Sequence, residues 1–169
     1  MKNTIKVFVL VALTLAAMSV SAQVKLGHIE TQKLIQAMPE WTAAQKTFEE
    51  EQKKVNTELN SLREQFQTKL AEYSEKMKTY SEAMRATTEE ELQGLQQRIQ
   101  RFQETAMAQL EKTQNDLRQP VMEKALNAIK EVGKENGFTY IFDMNAGILY
   151  AAENSQDVLL LVKKKLGLQ

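Results

Sequence analysis

The sequence predicts an α+β fold in which a long antiparallel helical hairpin stands on a small body of β-strands. Three observations predict it. Apolar residues recur at coiled-coil spacing along two successive stretches between residues 40 and 119. The irregularities in those two stretches mirror each other. Strand-like runs are confined to the two ends of the chain, outside the stretches.

The first stretch carries Val55, Leu59, Leu62, Phe66, Leu70, Tyr73, Met77, Tyr80 and Met84, in steps of 4, 3, 4, 4, 3, 4, 3 and 4. The second carries Leu92, Leu95, Ile99, Phe102, Ala106, Leu110, Thr113 and Leu117, in steps of 3, 4, 3, 4, 4, 3 and 4. Alternating threes and fours mark a coiled-coil seam, and each doubled four is a stutter that locally unwinds it. Phe66 to Leu70 and Ala106 to Leu110 mirror one another about Thr88, as antiparallel legs require. Thr88 followed by Glu91 has the form of a capping box. The arm is therefore assigned to residues 40–119, with its tip near 86–89 and legs of roughly 45–70 Å at ~1.5 Å per residue.

Residues 1–22 read as a cleavable export signal. Lys2 and Lys6 precede an apolar run from Val7 to Val20, and Val20-Ser21-Ala22 supplies the small residues that direct cleavage after Ala22. The run is shorter than a spanning helix needs, so no stable membrane anchor is expected. These residues hold two lysines and no acid, leaving 20 Lys and Arg against 22 Asp and Glu, a net charge of −2. That balance argues against nucleic-acid binding, which needs a basic footprint. The absence of cysteine excludes a disulfide framework.

The body is assigned to residues 23–39 and 120–169. Val24 to Ile29 alternates weakly and reads as a strand, followed by a short helix presenting Leu34, Ile35 and Met38. Pro39 then precedes the long helix, and Trp41 is expected to pack at the arm's base. Pro120 is expected to kink or break the returning leg. Residues 138–143 and 147–151 read as the strands of a β-hairpin joined by Asp143-Met144-Asn145-Ala146-Gly147. Ser155 is positioned to cap a closing helix over 155–166. The candidate body core and oligomer contacts are Val24, Leu26, Ile29, Phe138, Tyr140, Phe142, Ile148 and Tyr150. Three strands are a thin core for so long a lever, which points to an oligomer whose bodies share a sheet or barrel.

No enzyme is legible. His28 is the single histidine, without a second histidine or a cysteine to complete a metal set, and no phosphate-cradling or nucleophile motif is present. No cofactor and no metal are expected. The arm is more informative: its seam changes from Val and Leu near the base to Tyr73, Met77, Tyr80, Met84 and Phe102 toward the tip, with Met107 one position off it. Methionine and aromatic side chains suit contacts with varied partners. A two-helix arm cannot shield its seam on all sides, so these six are the candidate contacts for a guest.

The pieces Val24-Lys25-Leu26-Gly27-His28-Ile29, Gln119-Pro120-Val121 and Ala128 to Asp143, in this order around a coiled-coil hairpin, make the chain similar to the Skp (OmpH-like) family of periplasmic chaperones of Gram-negative bacteria. The resemblance covers essentially all of the chain after residue 22. It implies a homotrimer whose bodies form a joint β-barrel and whose arms enclose a cavity. It also implies an ATP-independent holdase for unfolded outer-membrane β-barrel proteins. One departure is electrostatic: the best-known members are strongly basic, whereas this sequence has a pI near 6.6. Lipopolysaccharide binding is therefore not carried over, and electrostatic capture of guests is expected to be weak. The rival assignment is an envelope coiled-coil adaptor or spacer that binds one defined folded partner.

Overall fold

The computed structural model describes residues 24–168, and the expected export signal lies outside the described residues. The order is β1 (Leu26–Ile29), α1 (Thr31–Gln36), α2 (Pro39–Lys76), α3 (Glu82–Glu135), β2 (Tyr140–Asp143), β3 (Gln156–Asp157) and α4 (Leu159–Lys165). Helices α2 and α3 form the arm, and the described segments before and after it meet at its base. Pro39 takes the first position of α2, where its missing N–H costs nothing.

The body differs from the expected β-hairpin. β1 is the central strand of a three-stranded sheet and pairs in parallel with β2 and with β3. Residues 148–152 carry no strand, and the third strand is formed by Gln156–Asp157 instead. The cause lies at Asp143, whose Oδ1 accepts the Asn145 N–H at 3.0 Å while its carbonyl accepts the Ala146 N–H at 3.1 Å. That turn, continued by Gly147 at φ 83°, carries the chain away from β2 rather than back along it.

Alternation sets the two faces of the sheet. Gly27 and Ile29 point into the core, while Leu26 and His28 point the other way. A Cβ on Gly27 would meet the Phe138 ring at 3.0 Å and Val158 Cγ1 at 3.2 Å, so only glycine lets β1 lie this close to them. The core packs Ile29 with Leu34, Ile35 and Met38, with Val121, Ala125, Ala128 and Val132 of α3, and with Val158 and Val162. Each full-sized member contributes about 1.5–3 kcal/mol by burial. Lys165 ties α4 to α3 through Glu135 at 2.6 Å and Glu131 at 3.1 Å.

Helix α3 serves both parts of the molecule. Its 54 residues, about 80 Å at ~1.5 Å per residue, run unbroken from the arm's tip into the core. Pro120 lies inside it without breaking it. The residue is exposed, so the carbonyl that loses its bond can be solvated. The helix ends in a Schellman motif: Phe138 N–H bonds Gly133 C=O at 3.0 Å and Gly137, at φ 68°, bonds Lys134 C=O at 3.4 Å.

The tip lies earlier than the mirrored stutters predict. The helices break at residues 77–81, not 86–89. Ser81 caps α3, its Oγ accepting the Met84 N–H at 3.2 Å, whereas the Thr88 hydroxyl donates to the Met84 carbonyl within the helix. The predicted mirror sets Tyr73 against position 103. Its hydroxyl instead donates to Glu89, fourteen residues or two heptads nearer. Lys69–Glu91 and Glu40–Lys124 keep the same shifted register.

The closing helix starts at Leu159 rather than Ser155. Asp157 Oδ1 accepts the Leu159 N–H at 2.8 Å, and Ser155 turns its hydroxyl to His28 instead.

Candidate functional site

Two surfaces carry most of the apolar groups that the fold leaves uncovered. The first is the arm. A pair of helices buries only a narrow stripe: Leu62, Leu92 and Ala106 are the arm's buried residues, and the other seam positions are half-buried or exposed. Between the legs an open cavity of about 760 Å³ runs along Gln65, Thr68 and Lys69 on α2 and Glu91, Gly94 and Leu95 on α3. Gly94 presents no side chain there, and nothing approaches its Cβ position within 4 Å.

Of the six candidate guest contacts, Tyr73, Met77, Tyr80 and Met84 gather at the tip. Tyr73 and Tyr80 set their rings 6.4 Å apart. Met77 and Met84 are exposed at either side of the turn. The Glu89 carboxylate that accepts from Tyr73 raises the phenol's pKa above the ordinary value. Phe102 stays half-buried in the seam further down, and Met107 stands outside it, 73% exposed. Because the tip falls at residues 77–81, Phe102 and Met107 sit nearer mid-arm than the mirrored register places them.

The second surface is the outer face of the sheet. Leu26, Tyr140 and Phe142 are exposed on it, with the Tyr140 and Phe142 rings stacked at 5.9 Å. The segment after β2 extends this patch through half-buried Ile148 and exposed Tyr150, which line a cavity of about 230 Å³ with Leu26 and Phe142. Val24 is exposed just before β1. The eight candidate body residues thus divide by face: Ile29 is buried, Phe138 packs against the core, and the rest border or form the uncovered side.

His28 lies within that outer face, its Nδ1 2.9 Å from Ser155 Oγ. Sequence reading missed this pair because 127 residues separate its members. Asp157 faces His28 across the strands, and its Oδ1 is held by the N–H of Leu159. Among the described residues no cluster of three His, Cys, Asp or Glu side chains could hold a metal ion, and no helix is long and apolar enough to cross a membrane.

A long two-helix arm on a small αβ body, with its apolar surface divided between arm seam and outer sheet face, defines a coiled-coil arm protein. Residues 25–166 match the family described as outer membrane protein (OmpH-like), and the chain belongs to that family. It is a family of chaperones associated with the periplasm and with outer-membrane proteins, and not a class of enzymes. No curated protein matches the chain.

Proposed function

We propose that the protein is an ATP-independent holdase of the periplasm, exported by a signal peptide cleaved after Ala22. As a homotrimer it holds unfolded outer-membrane β-barrel proteins in the space between its arms until they insert. The observation that carries this reading is the division of apolar surface between the arm and the outer sheet face. Leu26, Tyr140, Phe142 and Tyr150 expose aromatic and aliphatic groups beside open strand edges, a surface that a second and third copy cover by extending the sheet. The arm, in contrast, offers separated and adaptable groups: Tyr73, Met77, Tyr80 and Met84 at the tip, Phe102 and Met107 along it. Many weak contacts hold an unfolded chain without selecting one sequence. Release needs no nucleotide when folding of the guest into the membrane supplies the free energy.

The test dilutes a urea-unfolded outer-membrane β-barrel into buffer with the protein lacking residues 1–22, following light scattering while sizing the complex. Suppressed scattering, with one guest per trimer-sized particle and no nucleotide, is the expected result. Unchanged scattering with saturable binding to one folded protein identifies an adaptor instead. Changing Met77, Met84 and Met107 together to Gln weakens holding and leaves assembly intact. Full holding by that variant removes these residues from the contact surface.

A further inference from the structure

We propose that the cavity at the base of the arm binds the C-terminal residue of an unfolded polypeptide, its free carboxylate on Arg118 and its apolar side chain against Trp41. The inference rests on the holding role above and names a feature of the guest that the arm surface does not read. The cavity, about 380 Å³, opens where α1, the first turn of α2, the stretch of α3 around Pro120 and the turn after β2 come together. Its size lies in the range of sites for small ligands. It suits a terminal residue or two rather than a length of chain passing through.

The lining matches such an end in two respects. Trp41, Ile35 and Met122 supply an apolar wall. Arg118 supplies the cation: among the described residues it takes part in none of the ion pairs, all of which use lysine. A guanidinium is the preferred partner of a carboxylate, through paired N–H donors. Asp143 lines the same cavity without pairing with Arg118. Its carboxylate is already held by the N–H groups of Thr31 at 3.3 Å and Asn145 at 3.0 Å and by the Asn145 side-chain amide at 3.2 Å.

A cation outside the ion pairs of the described residues and an apolar wall in one small cleft fit an acid carried on the chain's own backbone carbon. The last residue of a polypeptide is such a group, with its side chain leaving from that carbon as well. An internal Asp or Glu brings a carboxylate with no apolar group beside it, and its chain must both enter and leave. A second cavity of about 150 Å³, lined by Phe48 and Leu117, shares Trp41 and Arg118 with the first. It extends the apolar wall for a bulky terminal side chain.

Trp41 is the only tryptophan and lines both cavities, so its fluorescence reports on them. The protein is titrated with a six-residue peptide free of Trp and Tyr that ends in Phe with a free carboxylate. The same peptide with an amidated end, and an amidated peptide with an internal Glu beside Phe, serve as comparisons. The free acid gives a saturable change in Trp41 emission, and both amidated peptides bind about tenfold or more weakly, as does the free acid to Arg118→Gln. Circular dichroism confirms that Arg118→Gln keeps its helix content. Equal binding of acid and amide, binding to Arg118→Gln as tight as to the parent, or no saturable change each overturns the assignment. Aggregation suppression is read separately by light scattering. Loss of suppression by the parent protein overturns the holding role, whereas absent peptide binding with suppression intact removes the cavity alone.

Discussion

Asp143 joins three parts of the body with one carboxylate: the end of β2, the start of α1 and the turn that follows. Burial, the largest single influence on it, raises its pKa. The N–H groups of Asn145 and Thr31, with their side chains, outweigh burial together and hold the carboxyl below its ordinary value. A pKa lower in the folded than in the unfolded chain means that the anion stabilises the fold above the unfolded value of about 3.9. That stability is lost as pH falls through the folded value. Urea titrations are expected to show body stability level down to about pH 5 and falling below about pH 4. Asp143→Ala costs about 1–3 kcal/mol at neutral pH and flattens the acid limb. An acid limb as steep as the parent's assigns it to other carboxylates. Gly137 is a second such point: Gly137→Ala places a Cβ at φ 68° and is expected to cost about 1–2 kcal/mol, measured by the same titration. The helix-stop role of Gly137 is legible in the sequence because the strain is local. The bond between His28 and Ser155 is not, since it exists only once β1 and the chain before β3 lie side by side.

The helical hairpin shows which information a periodic pattern holds and which it lacks. Heptads state that two legs share a seam. They do not state the register, because sliding one leg by whole heptads brings an equivalent seam into place. The mirrored stutters around Thr88 select one such register, and the structure adopts another, two heptads away, with Ser81 as the cap of the returning leg. Ser81 accepts the Met84 N–H, and Leu62, Leu92 and Ala106 are buried in the seam of that register. Ser81→Ala is expected to cost about 1 kcal/mol by loss of the cap, while Thr88→Ala is neutral or slightly stabilising, since Thr88 is mid-helix and bonds its own Met84 carbonyl. Thermal melts followed at 222 nm separate the two, and equal costs contradict the Ser81 cap. Leu62, the deepest residue of the arm, is expected to cost about 2–4 kcal/mol as Leu62→Ala, seen first as faster amide exchange across both legs. The missing β-hairpin has the same origin as the shifted tip. Residues 148–151 have strand-like composition, but the Asp143 turn points them away, and β1 already occupies the place beside β2.

For the whole molecule, the sharpest prediction concerns the uncovered sheet face. Tyr140→Lys with Phe142→Lys puts two charges on a surface proposed to meet other copies. Sedimentation is expected to show loss of the trimer with the helical signal retained, because neither side chain belongs to the buried core. A trimer unaffected by both lysines places the subunit contact elsewhere. The near-neutral balance of charge, −2 for the chain after residue 22, predicts that guest binding varies little between low and moderate salt, and a collapse over that range contradicts it. The placement of β1 at the centre of the sheet has a further consequence, in time rather than in space. A chain made or threaded N-terminus first delivers its central strand at the outset, while Leu26 waits for Tyr140 and Gly27 for Gln156. Closing so long a loop directly is slow and costs chain entropy. The arm removes most of that distance, because each turn of helix zipped from Ser81 downward draws the two ends nearer before any strand has paired. The arm is thus expected to act as the body's own folding template, with growth from the tip setting when the sheet can form.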